Sequence, residues 1–100
     1  MISWFRTYQS KIGKMPAMLD LSREAAKHLE STYGLNVDIY TQLGGDPLKI
    51  GLLGRYDNLA AVDDLNQKIA VDSKWADIMS RGEALGVEGS VRDEWWQQIT

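Results

Sequence analysis

Leu35-Asn36-Val37-Asp38-Ile39-Tyr40-Thr41-Gln42-Leu43, the turn Gly44-Gly45-Asp46-Pro47 and the run Lys49-Ile50-Gly51-Leu52-Leu53-Gly54-Arg55-Tyr56 decide the architecture. In the first run Val37, Ile39 and Leu43 stand opposite Asn36, Asp38 and Gln42, the two-residue period of a half-buried strand near a sheet edge. Glycine, aspartate and proline then supply turn chemistry. The second run returns as another strand, and the pair reads as a hairpin.

On the N-terminal side, MISWFRTYQS carries Trp4, Phe5, Thr7 and Tyr8 in strand-like alternation, predicting a strand through about Gln9. Lys11-Ile12-Gly13-Lys14 is a turn, and Pro16 suits the first turn of a helix, where its missing amide hydrogen is harmless. Met15, Met18, Leu19, Ser22, Ala25, Ala26, Leu29 and Tyr33 recur at three- and four-residue spacing, making one side of a long helix apolar or small. Gly34 can close that helix.

On the C-terminal side, Asn58 can cap a helix LAAVDDLNQKIA whose buried stripe is Val62, Leu65 and Ile69. Asp72 is a second cap signal before SKWADIMSR, so the helical region bends or restarts there. Gly82, Gly86 and Gly89 are expected in the return loop, and Ser90 to Ile99 in a last strand that includes Trp95 and Trp96.

The order β-α-β-β-α-β over a single domain, residues 1–100, is that of an α+β ferredoxin-like subunit, with helices on one face of an antiparallel sheet. Side-chain parity adds a further demand. The adjacent pairs Trp4-Phe5, Leu52-Leu53 and Trp95-Trp96 must send apolar groups to opposite faces of their strands. Helices can cover one face; a second copy packed sheet to sheet is expected to cover the other.

Composition narrows the function. Eleven basic and fourteen acidic residues are dispersed and leave a net charge of -3, which gives no electrostatic footprint for DNA or RNA. No apolar run is long enough to span a membrane, and the chain opens on strand-like alternation, so a cytoplasmic protein is expected. The chain has no cysteine, which excludes disulfides and thiolate chemistry. Gly44-Gly45-Asp46-Pro47 lacks the helix and basic residue of a phosphate cradle. Asp63-Asp64 has no histidine or cysteine with which to hold a metal, and no nucleophile elbow surrounds Ser22 or Ser31. Neither metal nor tightly bound cofactor is expected.

WFRTYQSKIGKMPAMLDLSREAAKHL, with Arg6-Thr7-Tyr8, the Gly13-Lys14 turn and an amphipathic helix behind it, resembles the NIPSNAP-like and antibiotic-biosynthesis-monooxygenase-like group of dimeric α/β barrels. GRYDNLAAVDDLN and DSKWADIM are similar to that group's third-strand exit and second helical region. The resemblance implies a small, mainly apolar pocket between sheet and helices in each subunit of a homodimer. The group includes cofactor-independent oxygenases, haem-degrading enzymes, cyclases and isomerases. The haem-degrading set is represented by residue type in Asn58, Trp75 and His28, but His28 stands in the first helix, a departure that counts against haem.

The candidate site follows from side-chain chemistry. His28 is the residue whose unperturbed titration straddles neutral pH and is the candidate general base, with Glu24 one turn earlier to orient it; on its helix it flanks the small-apolar stripe, which also suits a surface or interface role. Tyr8 can transfer a proton and Arg6, on the same strand face, can stabilise an oxyanion; an ion pair from Arg6 to Asp38, Asp57 or Asp93 is the structural alternative. Trp75, Arg55 and Tyr40 are the candidate ligand contacts, with Trp75 as pocket wall and Arg55 at a pocket mouth or dimer rim. Two functional classes stand: binding and cofactor-independent conversion of a small hydrophobic or aromatic metabolite, by cyclase, isomerase or monooxygenase-like chemistry, or a non-catalytic ligand-binding or structural homodimer.

Overall fold

The computed structural model describes residues 1–100. The elements run β1 (Ile2–Gln9), α1 (Met15–Tyr33), β2 (Val37–Thr41), β3 (Lys49–Tyr56), α2 (Leu59–Ile69), α3 (Ser73–Leu85) and β4 (Arg92–Gln97). The four strands form one antiparallel sheet in the order β2-β3-β1-β4. This is the α+β, ferredoxin-like arrangement read from the sequence, with β2 at an edge.

Parity sorts the side chains as expected. Ile2, Trp4, Arg6 and Tyr8 of β1 share a face with Ile50, Leu52 and Tyr56 of β3, and the helices pack on that face. Ile2, Trp4, Leu29, Leu35, Leu52, Tyr56 and Leu65 make the larger core cluster, while Leu21, Ala25 and Ile78 make a smaller one between α1 and α3. Phe5, Leu53, Tyr40 and Trp96 emerge on the opposite face, which no helix of this chain covers; Trp96 is 62% exposed.

Two glycines of β3 let large rings lie close to the sheet. A side-chain carbon at Gly51 would stand 2.8 Å from Phe5 Cζ on the open face, and one at Gly54 would stand 3.2 Å from Trp4 Cε3 on the helix face. Each ring fills the space that glycine leaves vacant.

Helix boundaries follow their caps. Pro16 lies in the first turn of α1, and Gly34, with φ 71°, closes the helix in the left-handed conformation while its amide donates to Glu30 O. Asn58 accepts from the Ala61 amide at 2.9 Å to begin α2, and Asp72 accepts from the Trp75 amide at 2.9 Å to begin α3. The second helical region is therefore two helices.

Four expectations need correction. Gly82 lies inside α3 and not in the return loop, because α3 runs to Leu85. The second strand ends at Thr41, and Leu43 is fully exposed instead of buried; Gln42 Oε1 accepts from the Asp46 amide at 2.9 Å, which turns the chain out of the sheet early. The last strand is confined to 92–97, leaving Val91 and Ile99 outside it and exposed. In α1 the buried stripe is Met18, Leu21, Ser22, Ala25, His28 and Leu29, so Leu19 and Ala26 lie beside it and His28 lies in it.

Candidate functional site

The helix-facing side of β1 changes character along its length. Ile2 and Trp4 enter the core, whereas Arg6 and Tyr8 reach a region where α1 and α3 present small or flexible side chains: Ser22, Ala25, Met79 and Gly82. A cavity of about 810 Å³ results, with Arg6, Tyr8 and Leu52 on the sheet side. Residues 86–91 form its remaining wall. That segment is pinned to the end of β1, where the Val87 amide donates to Gln9 O at 2.8 Å and the Gln9 amide to Ser90 Oγ at 3.1 Å.

Arg6 is held by Asp93 of β4. Its Nε donates to Oδ1 at 2.7 Å and its Nη2 to Oδ2 at 2.9 Å, a two-point pair that Trp4 Nε1 joins by donating to Oδ1 at 3.1 Å. The guanidinium holds the Asp93 carboxyl below the usual carboxylate range. Arg6 also lies 5.3 Å from the centre of the Trp4 ring. Its remaining nitrogen, Nη1, meets only the thioether of Met79, at 3.8 Å. Of the three ion-pair partners open to Arg6 in the sequence, β4 supplies the one found, because the strand register sets Asp93 opposite Arg6.

Tyr8 Oη lies 2.5 Å from Ser22 Oγ, and Ser22 Oγ donates to the Met18 carbonyl at 2.8 Å. Burial raises the Tyr8 phenol above its ordinary value, against smaller lowering effects from the Ser22 hydrogen bond and the Arg6 charge. The phenol is thus protonated at neutral pH.

His28 is elsewhere. It does not line the cavity; it is 9% exposed and belongs to a polar cluster joining α1 to the α2–α3 junction. His28 Nε2 lies 2.7 Å from Asp72 Oδ2, Thr32 Oγ1 lies 3.2 Å from Nδ1, and Tyr33 Oη donates to the same Asp72 oxygen. The hydrogen bonds from Tyr33, foremost, the Trp75 amide and His28 hold the Asp72 carboxyl well below the usual range. Glu24, expected to orient His28, instead accepts two hydrogen bonds from Arg81 of α3, at 2.7 and 2.9 Å. The structure therefore brings Arg6 and Tyr8 together and sets His28 apart.

The candidate ligand contacts also separate. Trp75 packs against both core clusters and does not line the cavity. Arg55 and Tyr40 lie on the uncovered face, Arg55 with Nη1 3.3 Å from Asp38 Oδ2 and Tyr40 beside a shallow hollow of about 320 Å³ that Phe5 and Arg92 also line. Sequence reasoning missed Ser22, Met79 and the 86–91 wall as site elements. The small side chains at 22, 25 and 82 were the available signal: three positions on two facing helices where little volume is filled.

No three histidine, aspartate or glutamate side chains converge as a metal-ligand set, and no helix is long and apolar enough to cross a membrane.

Solved structures place the fold. A NIPSNAP domain protein from Burkholderia xenovorans superposes with a TM-score of 0.83 at 18% identity, over 100% of this chain and 96% of its own. A NIPSNAP family protein from Agrobacterium tumefaciens gives 0.78 at 22% identity, over 98% of this chain and 92% of its own. An antibiotic biosynthesis monooxygenase gives 0.76 at 14% identity, with both chains covered completely. Identities this low carry the fold and no more. No curated protein is similar enough to count as a relative. The NIPSNAP pattern, however, matches residues 3–96, from the second residue of β1 to the penultimate residue of β4, and the chain belongs to the NIPSNAP family.

Proposed function

We propose that this protein binds a small, mainly apolar molecule in the cavity between sheet and helices, and that it does so in the cytoplasm as one half of a sheet-to-sheet homodimer. The single observation that carries the binding reading is the cavity itself: half of its lining is hydrophobic, with Arg6 and Tyr8 on the sheet side and Lys11, Glu83 and Glu88 among its other polar groups.

The homodimer is supported by the uncovered face. Phe5, Leu53 and Trp96 emerge there with no helix above them. Lys49, Arg55 and Arg92 share that face with Asp38 and Glu94, so its charges are nearly balanced and suit a self-complementary contact about a two-fold axis. A sheet-to-sheet pair of this kind is the dimeric α/β barrel.

Conversion of the bound molecule without a cofactor, by cyclase, isomerase or monooxygenase-like chemistry, is the second reading. It is favoured by Arg6 Nη1, which faces the cavity with only a thioether partner and would stabilise an oxyanion forming there. Tyr8 would orient the ligand by accepting a hydrogen bond at its phenol oxygen, its own hydrogen being held by Ser22. His28, lying outside the cavity, supports α3 from behind in either reading.

Native mass measurement on freshly purified protein tests the reading, combined with amide NMR spectra titrated with small aromatic and aliphatic fragments. The expected result is a dimer mass, with fragment-induced shifts at Ser22, Met79 and Gly82. A monomer would remove the homodimer, and silence at all three amides would remove the cavity as a binding site.

A further inference from the structure

The polarity of the sheet side of the cavity, where Arg6 and Tyr8 stand, is fixed by where a few hydrogens go. A serine hydroxyl has one hydrogen, and that of Ser22 is committed to the Met18 carbonyl one turn back along α1, at 2.8 Å. The 2.5 Å contact between Tyr8 and Ser22 must then run with Tyr8 as the donor. The one phenolic hydrogen of Tyr8 points at the helix. What its oxygen still offers the cavity is a lone pair.

Arg6, two residues earlier on the same face of β1, offers the opposite. Nε and Nη2 are spent on Asp93, while Nη1 has only the Met79 sulfur at 3.8 Å, and a thioether is a weak acceptor. Its hydrogens are available to an oxygen entering the cavity. The charge of the guanidinium, however, is already matched by the Asp93 carboxylate, so the pair is neutral as a unit. An entering carboxylate would gain one hydrogen bond from Nη1 and at the same time approach the negative charge of Asp93.

We infer that the cavity selects a neutral molecule bearing a hydroxyl at one end, donated to Tyr8, and a carbonyl at the other, accepting from Arg6 Nη1, on an apolar ring or chain between them. Arg6 and Tyr8 leave β1 about 7 Å apart, as alternate residues of a strand do, so a ligand carrying its two polar groups across a single ring suits the pair: a hydroxyaryl ketone is the simplest member of the class. This rests on the reading of the cavity as a ligand site.

Four ring compounds of nearly equal size test it: para-hydroxyacetophenone, its methyl ether para-methoxyacetophenone, para-ethylphenol and para-hydroxybenzoate, each titrated into the full chain while the Ser22, Met79 and Gly82 amides are followed by NMR. The hydroxy ketone should bind about three- to tenfold more tightly than the ether and the ethylphenol, each of which lacks one hydrogen bond, and more tightly than the carboxylate. In Ser22→Ala the Tyr8 hydrogen is released to turn toward the ligand, so the advantage of hydroxyl over ether should fall to about twofold or less while that of ketone over ethyl persists. Equal binding of hydroxyl and ether in the wild type, or tighter binding of the carboxylate, would overturn the assigned polarity and leave the cavity as a ligand site. Absence of shifts with all four would remove the site and the inference together.

Discussion

His28 Nε2 stands 2.7 Å from Asp72 Oδ2, so the residue that caps α3 is also the residue that ties α3 to α1. The other oxygen of the same carboxylate accepts from the Trp75 amide. One half-buried residue thus sets both where the third helix starts and how it lies against the first.

Replacing His28 with Ala should act on stability before it acts on binding. The substitution removes one partner of Asp72 and leaves Thr32 without its ring contact, and losses of this kind lower Tm by roughly 5 °C or more in a domain of this size. Thermal unfolding followed by circular dichroism checks the first part. Fragment binding at the Ser22 and Met79 amides, repeated below the new Tm, should be within about twofold of wild type because His28 does not line the cavity. A tenfold loss there with Tm unchanged would place His28 in the binding machinery.

The Asp72 carboxyl is held below its ordinary value by Tyr33, the Trp75 amide and His28. A depressed carboxyl stabilises the fold above its unfolded-state value, near pH 4, and the stabilisation disappears as pH falls through and below that value. In Asp72→Asn, Tm should be lower at pH 7 and should fall less steeply than wild type between pH 4 and pH 2. Asp93 and Glu24, depressed by Arg6 and Arg81, titrate in both proteins and cancel in the comparison. Parallel Tm curves would show that Asp72 contributes nothing to acid sensitivity.

Gly51→Ala places a methyl group in the seat of the Phe5 ring, where the nearest ring carbon is 2.8 Å away. The ring must leave, at a cost of about 1–3 kcal/mol as in other overpacked sites. Phe5→Leu should relieve most of that strain, so the double variant will be less destabilised than the sum of the single ones, as measured by urea unfolding. Additive effects would mean the ring does not depend on the glycine.

Leu53→Asp puts a charge in the middle of the uncovered face without touching the helix-side core, since Leu53 pairs with Phe5 in the register and points away from the helices. With the face buried against a second copy, light scattering should report a monomer and circular dichroism an intact fold. A dimer that persists at micromolar protein would move the interface elsewhere.

The fold was legible because its signals are local or periodic. The hairpin turn, the Asn58 and Asp72 caps, Pro16 and Gly34 each act within a few residues, and side-chain parity assigned Trp4 and Phe5, Leu52 and Leu53, and Trp95 and Trp96 to opposite faces before any contact was known. The site was less legible because its partnerships span the chain. Arg6 could be seen to need a carboxylate, but choosing Asp93 required the β1–β4 register, a pairing across 87 positions. His28 read as a flanking residue because Asp72, 44 positions away, is what draws it inward. Leu43 read as a core residue because its spacing fits the strand; only the Gln42 hydrogen bond to the Asp46 amide shows that the strand has already ended.

The paired glycines of β3 also answer a question that hydrophobic alternation leaves open. Sliding β1 along β3 by one position would exchange the two faces and is penalised at every side chain. Sliding by two would keep each side chain on its proper face, and pattern alone barely opposes it. Trp4 would then meet Leu52 or Tyr56 in place of Gly54, and in the second case Phe5 would move away from the vacancy at Gly51 as well. The two rings act as keys cut for two slots on opposite sides of one ribbon, and a single alignment of the central strands admits both.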